Sequence, residues 1–160
     1  NEQRRCLLLF SFPGGNPDMQ AFNQLLPASQ YAVDHECQPG RKNGIAIHAY
    51  SLRDDTLVSE SDVWVALRHR IFEERLATLL PEAVNLPLYI TELGIGGGTF
   101  LPPCETVVRD AMQFTYELEE DPYVQGFHLW NVGSGAQWYD ITPCLQELGD
   151  ALINYYTFAP

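Results

Sequence analysis

Apolar positions fall into four short runs spaced about forty residues apart, a period typical of β/α units once loops are included. The runs are Cys6 to Phe12, Gly44 to Tyr50, Leu88-Tyr89-Ile90 and Val124 to Asn131. Each begins apolar, finishes on polar or aromatic residues and gives way to loop formers: Pro13-Gly14-Gly15-Asn16-Pro17, Gly96-Gly97-Gly98 and Gly133-Ser134-Gly135 are examples. Helical patterns lie between them. From Ser61 to Leu80, Val63, Leu67, Ile71, Leu76 and Leu79 to Leu80 recur on one helical face, with Ser61 or Asp62 as cap and Pro81 closing the helix. A second helix is predicted from Glu105 to Glu119, with Val108, Met112, Tyr116 and Leu118 toward the sheet and Pro122 beyond its end. A third, Pro143 to Tyr155, places Leu145, Leu148, Leu152 and Tyr155 or Tyr156 inward. The first connector reads as a short helix from Met19 to Leu26 before Pro27, then a loop from Asp34 to Asn43. The class is α/β, four consecutive β/α units. Parallel sheets of this class carry their chemistry at the carboxyl ends of the strands, so the polar tips mark one shared face.

Length constrains the architecture. The 160 residues can bury a sizeable core, but a closed eight-stranded β/α barrel takes about 250. Four units make half of one, and a first strand close behind Asn1 reads as a segment of a longer protein, a single partial domain over residues 1–160 with no linker or second domain. A complete small doubly wound domain is the competing reading.

The net charge of −12 argues against nucleic acid or an anionic membrane as partner. No apolar window reaches the length of a membrane span, and no signal peptide is visible. The four cysteines lack C-x-x-C pairing or close histidine spacing, so zinc is not expected. Cys6 reads as a core thiol, whereas Cys37, Cys104 and Cys144 lie near loops and suit at most one disulfide in an oxidising compartment.

The third run ends in Ile90-Thr91-Glu92-Leu93-Gly94. A carboxylate at the last position of a buried strand is costly unless the site uses it, which makes Glu92 the candidate catalytic residue. Its structural alternative is a strand-end anchor bound to an arginine or to loop amides. The glycines that follow do not form a phosphate loop, because the Walker Lys-Ser/Thr is missing and position 99, where the dinucleotide fingerprint needs a third glycine, is Thr. Ser11 and Ser134 lack the context of a nucleophile elbow, so the sequence gives serine hydrolase chemistry no support.

The strand tips His48-Ala49-Tyr50, Ile90-Thr91-Glu92-Leu93-Gly94 and Trp130-Asn131, in that order and spacing, resemble strands six, seven and eight of the retaining glycoside hydrolases with (β/α)8 barrels, the clan A superfamily. That resemblance covers most of the chain as the C-terminal half of a TIM barrel, strands five to eight. It implies Glu92 as nucleophile in the hydrolysis of a glycosidic bond, His48 and Tyr50 beside it, Trp130 with Asn131 as a sugar platform, a carbohydrate substrate and neither cofactor nor metal. Side-chain parity points the same way, since His48 with Tyr50, Ile90 with Glu92, and His128 with Trp130 would each face the barrel interior. His128, one position deeper, reads as a hydrogen-bonded interior residue. Trp138, Tyr139 and Asp140 either line the cleft or pack the loop. The acid/base glutamate belongs to strand four of the family, in the N-terminal half; Glu2 sits too near the first strand to be that residue. The remaining readings are a catalytically inactive carbohydrate-binding barrel and a non-sugar α/β domain in which Glu92 is structural. An isolated half-barrel is expected to self-associate or to pair with its missing half through its open strand edges.

Overall fold

The computed structural model describes residues 5–52, 57, 64–84, 86–99, 101–133 and 138–158. Its frame is a four-stranded sheet of β1 (Leu8–Phe12), β4 (Gly44–Tyr50), β5 (Leu88–Gly94) and β6 (Val124–Leu129), hydrogen-bonded side by side in chain order and parallel throughout. Helices α1 (Met19–Asn23) and α2 (Leu26–Asp34) follow β1, α3 (Arg68–Leu79) follows β4, α4 (Cys104–Leu118) follows β5, and α5 (Leu145–Phe158) closes the chain. The chain is therefore an α/β protein. Between α2 and β4 the expected loop contains a small antiparallel pair, β2 (Glu36–Gln38) and β3 (Arg41–Lys42). Pro27, expected to end the first helix, instead starts α2, where its fixed φ and missing N–H suit the first turn. Ser61, Asp62, Val63, Glu2 and Ser134 lie outside the described residues.

One face of the sheet carries the apolar core. Ile45, Ile47 and Ala49 of β4 and Leu88, Ile90 and Leu93 of β5 pack with Phe22 of α1, Ala32 of α2, Phe72 and Leu76 of α3 and Phe114 of α4. The rings of Phe22 and Phe72 stack with centroids 4.5 Å apart. Two helix faces differ from the pattern read in sequence. On α4, Val107, Ala111 and Phe114 are buried, while Tyr116 is exposed and instead meets Tyr155 of α5 edge to face. The helix has two apolar stripes, and the one through Val108, Met112 and Tyr116 is not the one on the core. On α3 the fully buried positions are Arg68, His69, Phe72 and Leu76, and Leu79 is exposed. On α5 Leu148 is buried, whereas Leu145 and Tyr156 are exposed.

The buried polar residues of α3 have identified partners. His69 Nε2 lies 2.9 Å from Asp121 Oδ2, which also accepts from Arg70 Nε at 2.8 Å, and the Tyr123 hydroxyl donates to Asp121 Oδ1 at 3.3 Å. Burial pushes the Asp121 carboxyl up, but the His69 and Arg70 donors outweigh it and hold the group below its ordinary value. This cluster ties the start of α3 to the turn that enters β6.

Cys6 is not a core thiol and the cysteines form two disulfides, Cys6–Cys37 and Cys104–Cys144. The first joins the approach to β1 to β2, and the second joins the start of α4 to the turn before α5. Spacing could not reveal them, because the partners are brought together by the packing of separate β/α units. Among the described residues no helix is long and apolar enough to cross a membrane, and no group of three or more His, Cys, Asp or Glu is placed to hold a metal ion.

The disulfides span 31 and 40 residues, so the chain-entropy argument assigns each about 3–4 kcal/mol. Urea unfolding with and without reductant checks this: the Cys104→Ser/Cys144→Ser protein is expected to lose about 3 kcal/mol, and an unfolding curve indifferent to reductant would show that the thiols are unpaired. Because Asp121 is depressed, its contribution is present above the unfolded-chain value of 3.8 and is lost as pH falls below it. Asp121→Ala is expected to cost about 3 kcal/mol at neutral pH and to flatten the acid limb of the stability curve, as read by denaturant titrations at several pH values.

Candidate active site

The polar strand tips meet on the sheet face away from the core. Ile47 pairs with Ile90, but the next pair is His48 with Glu92, so Thr91 is an extra residue in β5. The same extra residue appears against β6, where Ile90 pairs with Phe127 and Leu93 with Leu129. Glu92 therefore does not share the face of Ile90, contrary to simple alternation: Ile90 and Leu93 face the helices while Glu92 joins His48 and Tyr50 opposite. A second shift sits on the other side of β4, where Phe10 pairs with Ala46 and Phe12 with Ile47, leaving Ser11 as the extra residue.

Tyr50 donates its hydroxyl hydrogen to Glu92 Oε2 at 2.8 Å, and His48 Nδ1 lies 3.1 Å from the same oxygen. A carboxylate can only accept, so Nδ1 carries the hydrogen and the neutral ring presents Nε2 as an acceptor. Nε2 lies 3.1 Å from Ser11 Oγ, which donates to it. Both donors to Glu92 converge on Oε2, and Oε1 has no partner among the described residues. Burial lowers the His48 pKa, the Glu92 charge opposes this, and the Arg68 cation adds to it. Burial pushes Tyr50 far above its usual value, and the bond to Glu92 reinforces the shift, so Tyr50 remains a donor across the working pH range.

The Tyr50 ring is fixed by glycines. A Cβ at Gly94 would come within 2.8 Å of Tyr50 Cε1, and one at Gly98, where φ is +74°, within 3.1 Å of the same atom. Ser51, fully buried, clamps the glycine loop: its carbonyl accepts from Gly97 N at 2.8 Å and its hydroxyl from Gly96 N at 3.2 Å. The glycines after Glu92 thus make room for a tyrosine.

Pro13, Gly14, His48, Tyr50, Glu92 and Trp138 are among the residues that line a cavity of about 250 Å³ over this cluster. A larger concavity, about 960 Å³, opens at the opposite ends of the strands around Arg5, Arg41 and Lys42. It holds no carboxylate and none of the strand-tip residues, so the smaller one is the candidate site. Trp130 and Asn131, joined by a cis peptide, follow β6 and lie outside the cavity lining. The Trp130 ring meets Trp138 edge to face at 6.4 Å, its N–H is buried without an acceptor among the described residues, and the Asn131 carbonyl accepts from Ile141 N at 2.9 Å. The aromatic wall of the cavity is Trp138. His128, read as an interior hydrogen-bonded residue, is exposed. Tyr139 is buried behind the site, and its hydroxyl is pushed up to about 12 by that burial.

Arg68, which the helical pattern placed between two apolar positions and left unremarked, is the main addition. It is fully buried, donates from Nη1 to Pro13 O at 2.9 Å and from Nη2 to Pro17 O at 3.1 Å, and lies over the Phe72 ring at 4.6 Å. Burial lowers its pKa to about 10, still well into the charged range at neutral pH. The cation fixes the turn after β1, one wall of the cavity. Compared with known proteins, the chain matches no family model, no curated protein and no solved structure.

Since burial outweighs the Glu92 attraction, the His48 ring is expected to titrate below 6.5 in histidine-resolved NMR. Glu92→Gln is expected to lower it further by removing the anion. A midpoint above 6.5 in the parent would mean that the ion pair, not burial, governs this histidine.

Proposed function

We propose that this chain is the C-terminal half of a (β/α)8-barrel glycosidase, in which Glu92 is the nucleophile of a retaining hydrolysis of a glycosidic bond. The observation that carries the reading is the asymmetric hold on the carboxylate: Tyr50 and His48 both engage Oε2, while Glu92 lines a cavity with a tryptophan on its wall. The hydrogen bonds to Oε2 fix the plane of the carboxylate, and Oε1 attacks the anomeric carbon through an oxocarbenium-like transition state. The exposed Trp138 face offers the apolar surface on which a sugar ring stacks, with Trp130 behind it. The parallel sheet in chain order supports the half-barrel arrangement, in which β1, β4, β5 and β6 take the places of strands five to eight. Leu7 and Leu8, exposed beside the unpaired edge of β1, suit self-association or pairing with a complementary half.

A retaining mechanism needs a second carboxyl about 5–5.5 Å from the first. Among the described residues that line the cavity, Glu92 is the one carboxylate, so the acid/base comes from outside them. The same observation favours a second reading, a carbohydrate-binding barrel that holds a sugar without cleaving it.

An activated dinitrophenyl 2-deoxy-2-fluoroglycoside separates these readings, because its leaving group departs without acid assistance. A panel of such sugars is expected to leave a covalent glycosyl adduct on the peptide containing Glu92, seen by mass spectrometry and absent in Glu92→Gln. Sugar binding without an adduct supports the binding barrel. Neither binding nor adduct across the panel rejects both sugar readings and leaves Glu92 a structural anchor.

A further inference from the structure

Ser11, His48 and Glu92 form a hydrogen-bonded line whose Ser11 end the glycosidase reading does not use. Ser11 Oγ lies 3.1 Å from His48 Nε2, and His48 Nδ1 lies 3.1 Å from Glu92 Oε2. A hydroxyl within reach of a base that is oriented by a third group is the geometry of an activated nucleophile, recognised by roles and not by sequence position. The tautomer is already the required one, because the acceptor-only Glu92 places the hydrogen on Nδ1 and leaves the Nε2 lone pair facing the serine.

The backbone at Ser11 is built for this purpose. Ser11 is the residue left out of the β1–β4 pairing, and it and Phe10 have φ of 41° and 86°, conformations that side-chain-bearing residues rarely adopt. An extra residue at a strand tip re-aims its side chain, and here it swings the hydroxyl across the edge of β4 to His48. The side chain is exposed and so open to a substrate. The following turn lies at the cavity through Gly14 and is held from behind by the buried Arg68.

The geometry points to a second activity at this site, the hydrolysis of carboxylic esters of small acyl groups, with Ser11 as nucleophile, His48 as general base and Glu92 as its orienting carboxylate. Ser11 Oγ bonds to the acyl carbon while its proton passes to His48 Nε2. The carbonyl π electrons move to oxygen, giving a tetrahedral oxyanion. Collapse breaks the bond to the alkoxide, which takes the proton from Nε2 and leaves as the alcohol. Water then attacks the acyl-serine, gives its proton to Nε2, and the carboxylic acid departs as the proton returns to Ser11. Ser11 lies at the edge of the cavity that His48, Glu92 and Gly14 line, outside the lining itself, and the volume of about 250 Å³ beside it suits an acyl group of a few carbons.

The experiment uses p-nitrophenyl acetate as substrate and a fluorophosphonate as covalent probe. Hydrolysis with a burst of nitrophenolate is expected, together with one phosphonyl adduct mapped to the peptide containing Ser11. Ser11→Ala is expected to lose the adduct and at least about 100-fold in rate, the scale of general-base catalysis. His48→Gln is expected to do the same, with near-UV circular dichroism confirming that both variants fold. A folded parent that takes no probe, or whose esterase rate is unchanged in Ser11→Ala, overturns the assignment. Glycosyl trapping reports on the Glu92 peptide and phosphonylation on the Ser11 peptide, so each reading can fail while the other stands.

Discussion

A one-residue slip in the pairing of β5 with β4 decides on which side of the sheet Glu92 lies. Side chains alternate along a strand, and with Ile47 opposite Ile90 an unbroken register would place Glu92 opposite Ala49, in the fully buried apolar layer under the helices. A lone carboxylate there would cost several kcal/mol, of order the whole stability of a small domain. Thr91 absorbs the slip, Leu93 returns to the core opposite Ala49 and Leu129, and Glu92 turns to the open face opposite His48. The matching slip at Ser11 on the other flank of β4 brings that hydroxyl to the same level, with Ser11 Oγ and Thr91 Oγ1 3.5 Å apart. Two strand irregularities on either side of one regular strand thus assemble the cluster.

Once on the open face, the carboxylate needs donors that do not drift. Tyr50 supplies one, and its ring packs directly on the backbone at Gly94 and Gly98, where a Cβ would come within 2.8 and 3.1 Å of it. A neutral donor to a charged acceptor is worth about 1.5–3 kcal/mol when held in place. The glycine loop is in turn fixed to β4 by Ser51, and the turn after β1 by Arg68, a buried cation that donates to two carbonyls and lies over an aromatic face. Rigidity at the site therefore comes from buried polar groups beyond it, while the disulfides fasten the periphery at β2 and at the start of α5.

What was legible in the sequence follows the range of the interactions involved. The strands are: Gly44 to Tyr50 is β4 residue for residue, and β5 contains both the apolar run and the Glu92 tip. Both depend on local pattern and on the turn formers that follow. Helix existence was legible too, but helix facing was not where two apolar stripes compete, as on α4, or where charged residues are the buried ones, as with Arg68 and His69 of α3. The meeting of His48 and Tyr50 with Glu92 was read correctly for a partly wrong reason, because the parity that paired Ile90 with Glu92 ignored the slip at Thr91. Nothing in a run such as Phe10-Ser11-Phe12 announces that its middle residue is extruded; that is a property of two strands, not of one. The disulfides likewise depend on pairs 31 and 40 residues apart meeting in space.

The two chemistries proposed for the cluster draw on different atoms of it, because its hydrogen bonds are asymmetrically committed. Glu92 Oε2 is engaged by the Tyr50 hydroxyl and the His48 N–H, and Oε1 has no partner among the described residues. Attack at an anomeric carbon draws on Oε1 alone and leaves His48 as a fixed donor, so it is indifferent to the Nε2 lone pair. Acyl transfer draws on Nε2 and uses Glu92 only as an anchor, so it is indifferent to Oε1. Both need the hydrogen on Nδ1, but only acyl transfer needs the ring neutral, and the burial and nearby Arg68 cation that lower the His48 pKa favour that form. Protonating His48 would remove the base for acyl transfer while leaving, and even strengthening, the donor to Glu92. The two proposed activities would then diverge in acid, the ester reaction falling as His48 gains its second proton while Nδ1 still donates to Glu92. That divergence follows from the wiring alone, one ring nitrogen for each reaction.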